Sequence, residues 1–160
     1  GHTYLAEVSF SHKNMEEIGY AIDFKEIKRV FLQWIDDILD HGMILNPHDE
    51  KLIQTTEEYG TKLWLMSLAG EGEYCNPSVE NITREVYLAM EILVNTLYGD
   101  SHTGLQIYKV KIFETPNCAS TCKHESITDK ERANFYKARH AEILEYAIKK
   151  GVQEYDDRKL

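Results

Sequence analysis

The sequence has no run of about 18 apolar residues, so it predicts no transmembrane helix. Cysteine is scarce. Cys75, Cys118 and Cys122 make an odd, low count, which points away from a disulfide framework and toward reduced thiols in a cytoplasmic protein. Cys118 and Cys122 stand four apart, wider than the C-x-x-C of most zinc knuckles, so free thiols near a strand end are the plainer reading. The opening Gly1-His2-Thr3-Tyr4 has no Met and no basic-then-apolar signal segment. Basic residues are outnumbered, 18 Lys and Arg against 27 Asp and Glu, for a formal charge of −9. Such a surface repels phosphate backbones. The densest basic stretch, Lys149, Lys150, Arg158 and Lys159, is diluted by Glu154, Asp156 and Asp157, so no nucleic-acid partner is expected. There is no internal repeat and no low-complexity tract. What remains is one domain's length of ordinary globular composition, 42% hydrophobic and 28% charged, which argues against a disordered chain.

His2 to Phe10 alternates, with Tyr4, Ala6, Val8 and Phe10 on one face, and predicts a half-buried strand. A polar turn over 13–19 leads to a short second strand at Tyr20 to Ile22. Asp23 and Glu26 stand in capping-box register before a helix striped by Ile27, Val30, Phe31, Trp34, Ile35, Ile38 and Leu39. Gly42 is its expected C-cap, and Met43 to Pro47 leads into a polar loop. Lys62 to Leu68 reads as a strand. Asn76-Pro77-Ser78 opens a helix carrying Ile82, Val86, Met90, Leu93 and Leu97, closed by Gly99. Leu105 to Phe113 alternates as a strand that ends at Glu114-Thr115-Pro116, since proline cannot donate to a ladder. Thr128 and Glu131 cap a last helix through Ala133, Tyr136, His140, Ile143, Ala147 and Ile148, expected to end at Gly151 before a frayed charged tail. Strands joined by polar turns, with helices inserted, suggest α+β with an antiparallel sheet.

Four short pieces could carry chemistry. His2 heads a strand, which can aim an imidazole at a metal; it can equally be an ordinary surface residue. Asp40 and His41 stand where a helix ends. A carboxylate beside an imidazole makes a proton shuttle near neutral pH, and a cationic histidine also suits a helix C-terminus. Pro77-Ser78-Val79-Glu80-Asn81 is a helix N-terminus with Ser78 as cap, whose free amides could hold a polar ligand edge. Glu114, at a strand end beside Thr115, can accept two hydrogen bonds from a guanidine-like edge such as that of a pterin or guanine ring, or simply face solvent.

Their order is more specific than any one of them. Gly1-His2, Ala21 to Lys28, Leu39 to Asn46, Asn76 to Asn81 and Val110 to Pro116 recur with the spacing of one family. Over its first three quarters the sequence resembles the 6-pyruvoyl tetrahydropterin synthase / 6-carboxytetrahydropterin synthase family. The resemblance implies a T-fold: an antiparallel four-stranded sheet with two helices on one face, here with an added C-terminal helix. It implies a pterin synthase domain over 1–125, with the family's first strand lying before Gly1, and a helical extension over 126–160. It implies a homo-oligomer (trimer, tetramer or hexamer), since a small open sheet leaves edges that other copies can satisfy. The implied substrate is dihydroneopterin triphosphate and the implied cofactor is Zn2+. His2 matches one zinc histidine, and Asp40 with His41 matches the catalytic relay. Glu114 matches the pterin anchor, with Thr115 beside it, and Ser78 lies in the substrate-binding element; Glu80 is not read as catalytic. The family's other zinc histidines and its catalytic cysteine have no counterpart in the sequence. Cys75, His12, His48, His102, His124 and His140 do not sit in those motifs. The leading expectation is 6-carboxy-5,6,7,8-tetrahydropterin formation for queuosine. The alternatives are 6-pyruvoyl tetrahydropterin synthase and a non-catalytic purine- or pterin-binding T-fold protein.

Overall fold

The computed structural model describes the backbone through residue 158 and side chains through residue 151. Lys159 and the side chains of the charged tail therefore lie outside the described residues. The elements run β1 (Leu5–Ser11), then α1, formed by Phe24–Glu26, a π-helical stretch Ile27–Leu32 and Gln33–Ile38. β2 (Met43–Leu45), α2 (Glu50–Glu58) and β3 (Leu63–Leu65) follow. α3 (Val79–Tyr98), β4 (Gln106–Thr115), β5 (Cys118–Lys123), a short 3-10 turn (His124–Ser126) and α4 (Asp129–Arg158) complete the chain. None of the described helices is long and apolar enough to cross a membrane.

The main sheet has the order β1-β4-β5, with both pairs antiparallel. Its inner face carries Ala6, Val8, Phe10, Ile107, Val110, Ile112 and Cys122, all in or against the core. β2 and β3 form a separate parallel pair, joined by α2. The α+β class with an antiparallel sheet and an added C-terminal helix therefore stands, while the strand count is three plus two rather than four.

Several boundaries differ from the sequence reading. Tyr20 to Ile22 is turn, not strand: Gly19, at φ +91°, reverses the chain, and Glu16 N–H donates to Tyr20 O at 2.8 Å. Asp23 caps α1 by accepting from Lys25 N–H at 2.8 Å, but the capping box does not form, because Arg29 binds both oxygens of Glu26 at 3.0 and 2.8 Å. The polar loop after Pro47 contains α2, whose one buried residue is Thr56. β5 was not foreseen, since Cys-Ala-Ser-Thr-Cys-Lys buries only Cys122. α4 continues past Gly151 to Arg158.

The caps of α3 and α4 follow the sequence. Ser78 accepts from Asn81 N–H at 3.3 Å. Thr128 and Glu131 exchange both bonds of a capping box, at 3.1 and 3.2 Å. α3 is buried on all sides over its middle: every residue from Glu85 to Val94 is buried. The sheet lies against one flank and α4 against another, the latter inserting Phe135, Ile143 and Ala147 into the same core. The outer face of the sheet gathers lysines that are scattered in sequence. Lys109 lies directly opposite Lys123, with Lys111 two residues along, and the Lys109 and Lys123 ammoniums flank the Tyr108 ring at 5.9 and 5.2 Å. Glu7 lies directly opposite Lys111, so the lysines of this face are interleaved with an acidic residue.

Candidate active site

Asp40 and His41 follow α1, whose last carbonyls need partners. Lys62 supplies them, its Nζ donating to Asp36 O at 2.7 Å and Asp40 O at 2.9 Å. Gly42 is not the left-handed residue here. His41 is, at φ 57°. Gly42 is required for space instead: a Cβ there would lie 2.9 Å from Leu39 O and 3.1 Å from Lys62 Cβ. The left-handed turn lets neighbouring side chains meet, and His41 Nδ1 lies 2.8 Å from Asp40 Oδ2. A carboxylate only accepts, so Nδ1 carries the proton and Nε2 is left free to exchange one. The imidazole is 90% exposed, open to a substrate.

Glu114 owes its position to a bulge. The β4–β5 register steps from Phe113↔Ala119 to Thr115↔Cys118, leaving Glu114 as the extra residue. Bulges re-aim side chains and terminate pairing. Leu5 pairs with Phe113, so β1 brings its head to the same place. His2 Nε2 lies 3.5 Å from Glu114 Oε1, and the rings of His2 and Tyr4 are 5.8 Å apart. Tyr4 was not singled out from sequence; the antiparallel β1–β4 pairing is what places it here. Its phenol is held above the ordinary tyrosine range by burial and by the Glu114 charge. Thr115 is exposed at the end of β4.

His2 and Glu114 are thus brought together, as are Asp40 and His41. Among the described residues, no hydrogen bond, ion pair or ring contact joins Asp40 or His41 to His2, Glu114, Thr115 or Ser78. No group of three His, Cys, Asp or Glu among the described residues could hold a metal ion. His2 has Glu114 as its one carboxylate neighbour, too few donors for a catalytic zinc, so these residues do not by themselves fit the ion. Of the three free thiols, Cys118 is exposed at the head of β5, opposite Thr115, while Cys75 and Cys122 are buried. Burial pushes Cys75 up from its ordinary range and Cys122 up to about 12, which keeps both protonated and inert.

The sequence relatives place the molecule among the lyase-type pterin synthases, and its helix-backed antiparallel sheet is consistent with their T-fold. More narrowly, the chain belongs to the 6-pyruvoyl tetrahydropterin synthase family, whose profile matches residues 1–125. It is 32% identical over 119 residues to the 6-carboxy-5,6,7,8-tetrahydropterin synthase of Rickettsia bellii (strain RML369-C), covering 74% of this chain and 78% of that one. The same-named protein of Rickettsia felis (strain ATCC VR-1525 / URRWXCal2) is 33% identical over the same shares. The 6-pyruvoyl tetrahydrobiopterin synthase of Dictyostelium discoideum is 32% identical over 66 residues, 40% of this chain and 49% of that one.

Proposed function

We propose that the protein converts 7,8-dihydroneopterin triphosphate to 6-carboxy-5,6,7,8-tetrahydropterin, as a cytoplasmic homo-oligomer serving queuosine biosynthesis. The observation that carries the reading is the Asp40–His41 pair, a carboxylate 2.8 Å from one imidazole nitrogen with the other nitrogen open. In this reading Asp40 orients His41, and His41 Nε2 takes and returns protons on the substrate side chain. Glu114 accepts two N–H donors from the amino-pyrimidine edge, with Thr115 beside it. Ser78, whose oxygen accepts from Asn81, keeps its own hydroxyl proton to donate to the substrate. The choice of carboxy product follows the names of the Rickettsia relatives. The open edges of β1 and β5, each paired only with β4 among the described residues, support assembly with other copies.

Zinc at His2 belongs to the same proposal. A zinc ion bound there would supply Lewis acidity. Metal analysis of the purified protein checks it: about one zinc per chain is expected if further ligands complete the site, and none if His2 stands alone. Incubation with dihydroneopterin triphosphate and mass analysis of the product tests the activity. 6-Carboxytetrahydropterin is expected. A 6-pyruvoyl product would move the chain to the sister activity. Absence of both above a no-enzyme control, with pterin binding that depends on Glu114, would make it a binding protein.

A further inference from the structure

Asn46 follows β2 and is 8% exposed. Its side chain uses both of its ends. Oδ1 accepts from His48 N–H at 3.1 Å and from Cys75 N–H at 3.2 Å, while Nδ2 donates to Asn76 Oδ1 at 3.0 Å. From the first turn of α3, Asn81 Nδ2 donates to Asn76 O at 3.0 Å, and Asn81 N–H donates to the Ser78 hydroxyl oxygen. A chain of amides therefore runs from the end of β2 to the head of α3. It spans two segments distant in sequence, the two crossing bonds joining residues 29 and 30 positions apart. Asparagine alone among the short side chains offers two acceptor lone pairs and a donor in one planar group. The Cys75–Ser78 segment is otherwise a loop, held by this relay and by the buried Cys75 side chain.

We propose that Asn46 is a positioning residue for substrate binding. It fixes the Cys75–Ser78 segment, and Ser78 with it, relative to the strand that continues from Asp40–His41. The inference rests on the reading of Ser78 as a substrate contact. The test compares wild type, Asn46→Asp and Asn46→Ala in turnover of dihydroneopterin triphosphate and in hydrogen exchange across residues 74–82. Asn46→Ala loses all three bonds. Its KM rises about tenfold while kcat stays within about threefold, because a misplaced binding group acts on ground and transition states alike. Asn46→Asp keeps both acceptor contacts and loses the donor, so its KM rises less, about threefold. In both variants the Cys75 and Asn81 amides exchange faster. Unchanged KM in both variants, with only a lower melting temperature, would make Asn46 structural and overturn the inference. If wild type turns over no substrate, the functional reading fails separately. Exchange then decides the coupling: faster exchange at Cys75 and Asn81 supports it, and unchanged exchange overturns it.

Discussion

His41 carries its role in its backbone as much as in its ring. A non-glycine residue at φ 57° costs about 1–2 kcal/mol relative to the right-handed region. Here that strain is what bends the imidazole onto its sequence neighbour Asp40. Adjacency in sequence marked the pair, but only the left-handed turn explains the contact, since consecutive helical side chains diverge. Asparagine tolerates the left-handed region, so His41→Asn is expected to unfold within about 1 kcal/mol of wild type. Its turnover is expected to fall by about 10²–10⁴, the usual range for losing a general acid–base group. Denaturant titration and product formation on the same sample check both halves. A second residue governs pH behaviour. Glu85 is 2% exposed and accepts from Trp64 Nε1 at 2.8 Å and from Ser67 N–H and Oγ at 2.5 and 2.6 Å. Burial holds its carboxyl above the ordinary range, against the pull of these donors. The folded state thus binds this proton more tightly than the unfolded chain. The resulting stability is complete below the ordinary glutamate pKa of about 4.3 and is lost as pH rises through the folded value. Denaturation midpoints of wild type are expected to fall relative to Glu85→Gln as pH rises from about 4 to 7.

Among the elements, legibility tracked how much of the signal was local. β4 and the caps of α3 and α4 were readable because alternation and capping are local grammar. α2 was not, since its one buried residue, Thr56, gives no apolar stripe. β5 was not, because a strand held by backbone ladder bonds to β4 needs little hydrophobicity of its own. The three apolar residues at Tyr20 to Ile22 suggest a strand, yet among the described residues no strand pairs with them. The candidate site divides the same way. Asp40, His41, Glu114 and Ser78 were visible as motif residues, whereas Tyr4 and Asn46 become meaningful only through partners far along the chain. The α4 cap offers a prediction at this scale. Thr128→Ala breaks the hydrogen bond to Glu131 N–H and is expected to cost about 0.5–2 kcal/mol in equilibrium unfolding.

For the whole molecule, the informative feature is that α3 carries two buried carboxylates, and α4 binds one and packs over the surroundings of the other. Glu91 is bound by Arg132 and by Tyr136 Oη, the latter at 2.7 Å. Near Glu85, Arg139 stacks 3.9 Å over Trp64 and donates to Leu65 O at 2.6 Å, while Asn134 donates to Leu68 O at 2.9 Å. The region outside the family match therefore pairs the Glu91 carboxylate and covers apolar surface inside it. A chain ending at residue 125 is expected to expose apolar surface, bind ANS and lose a cooperative melting transition, against a single transition for the full chain. A sharp transition in the shortened chain would show that α4 only decorates a finished domain. The same arrangement sets a direction in time. A polypeptide leaves the ribosome from its N-terminus, and the central helix emerges well before the segment that shields its outer flank. During that interval its two carboxylates stay hydrated and its apolar flank stays bare. The last helix made is then the step that closes the core, and any pause in translation between α3 and α4 lengthens the window in which the nascent chain can aggregate.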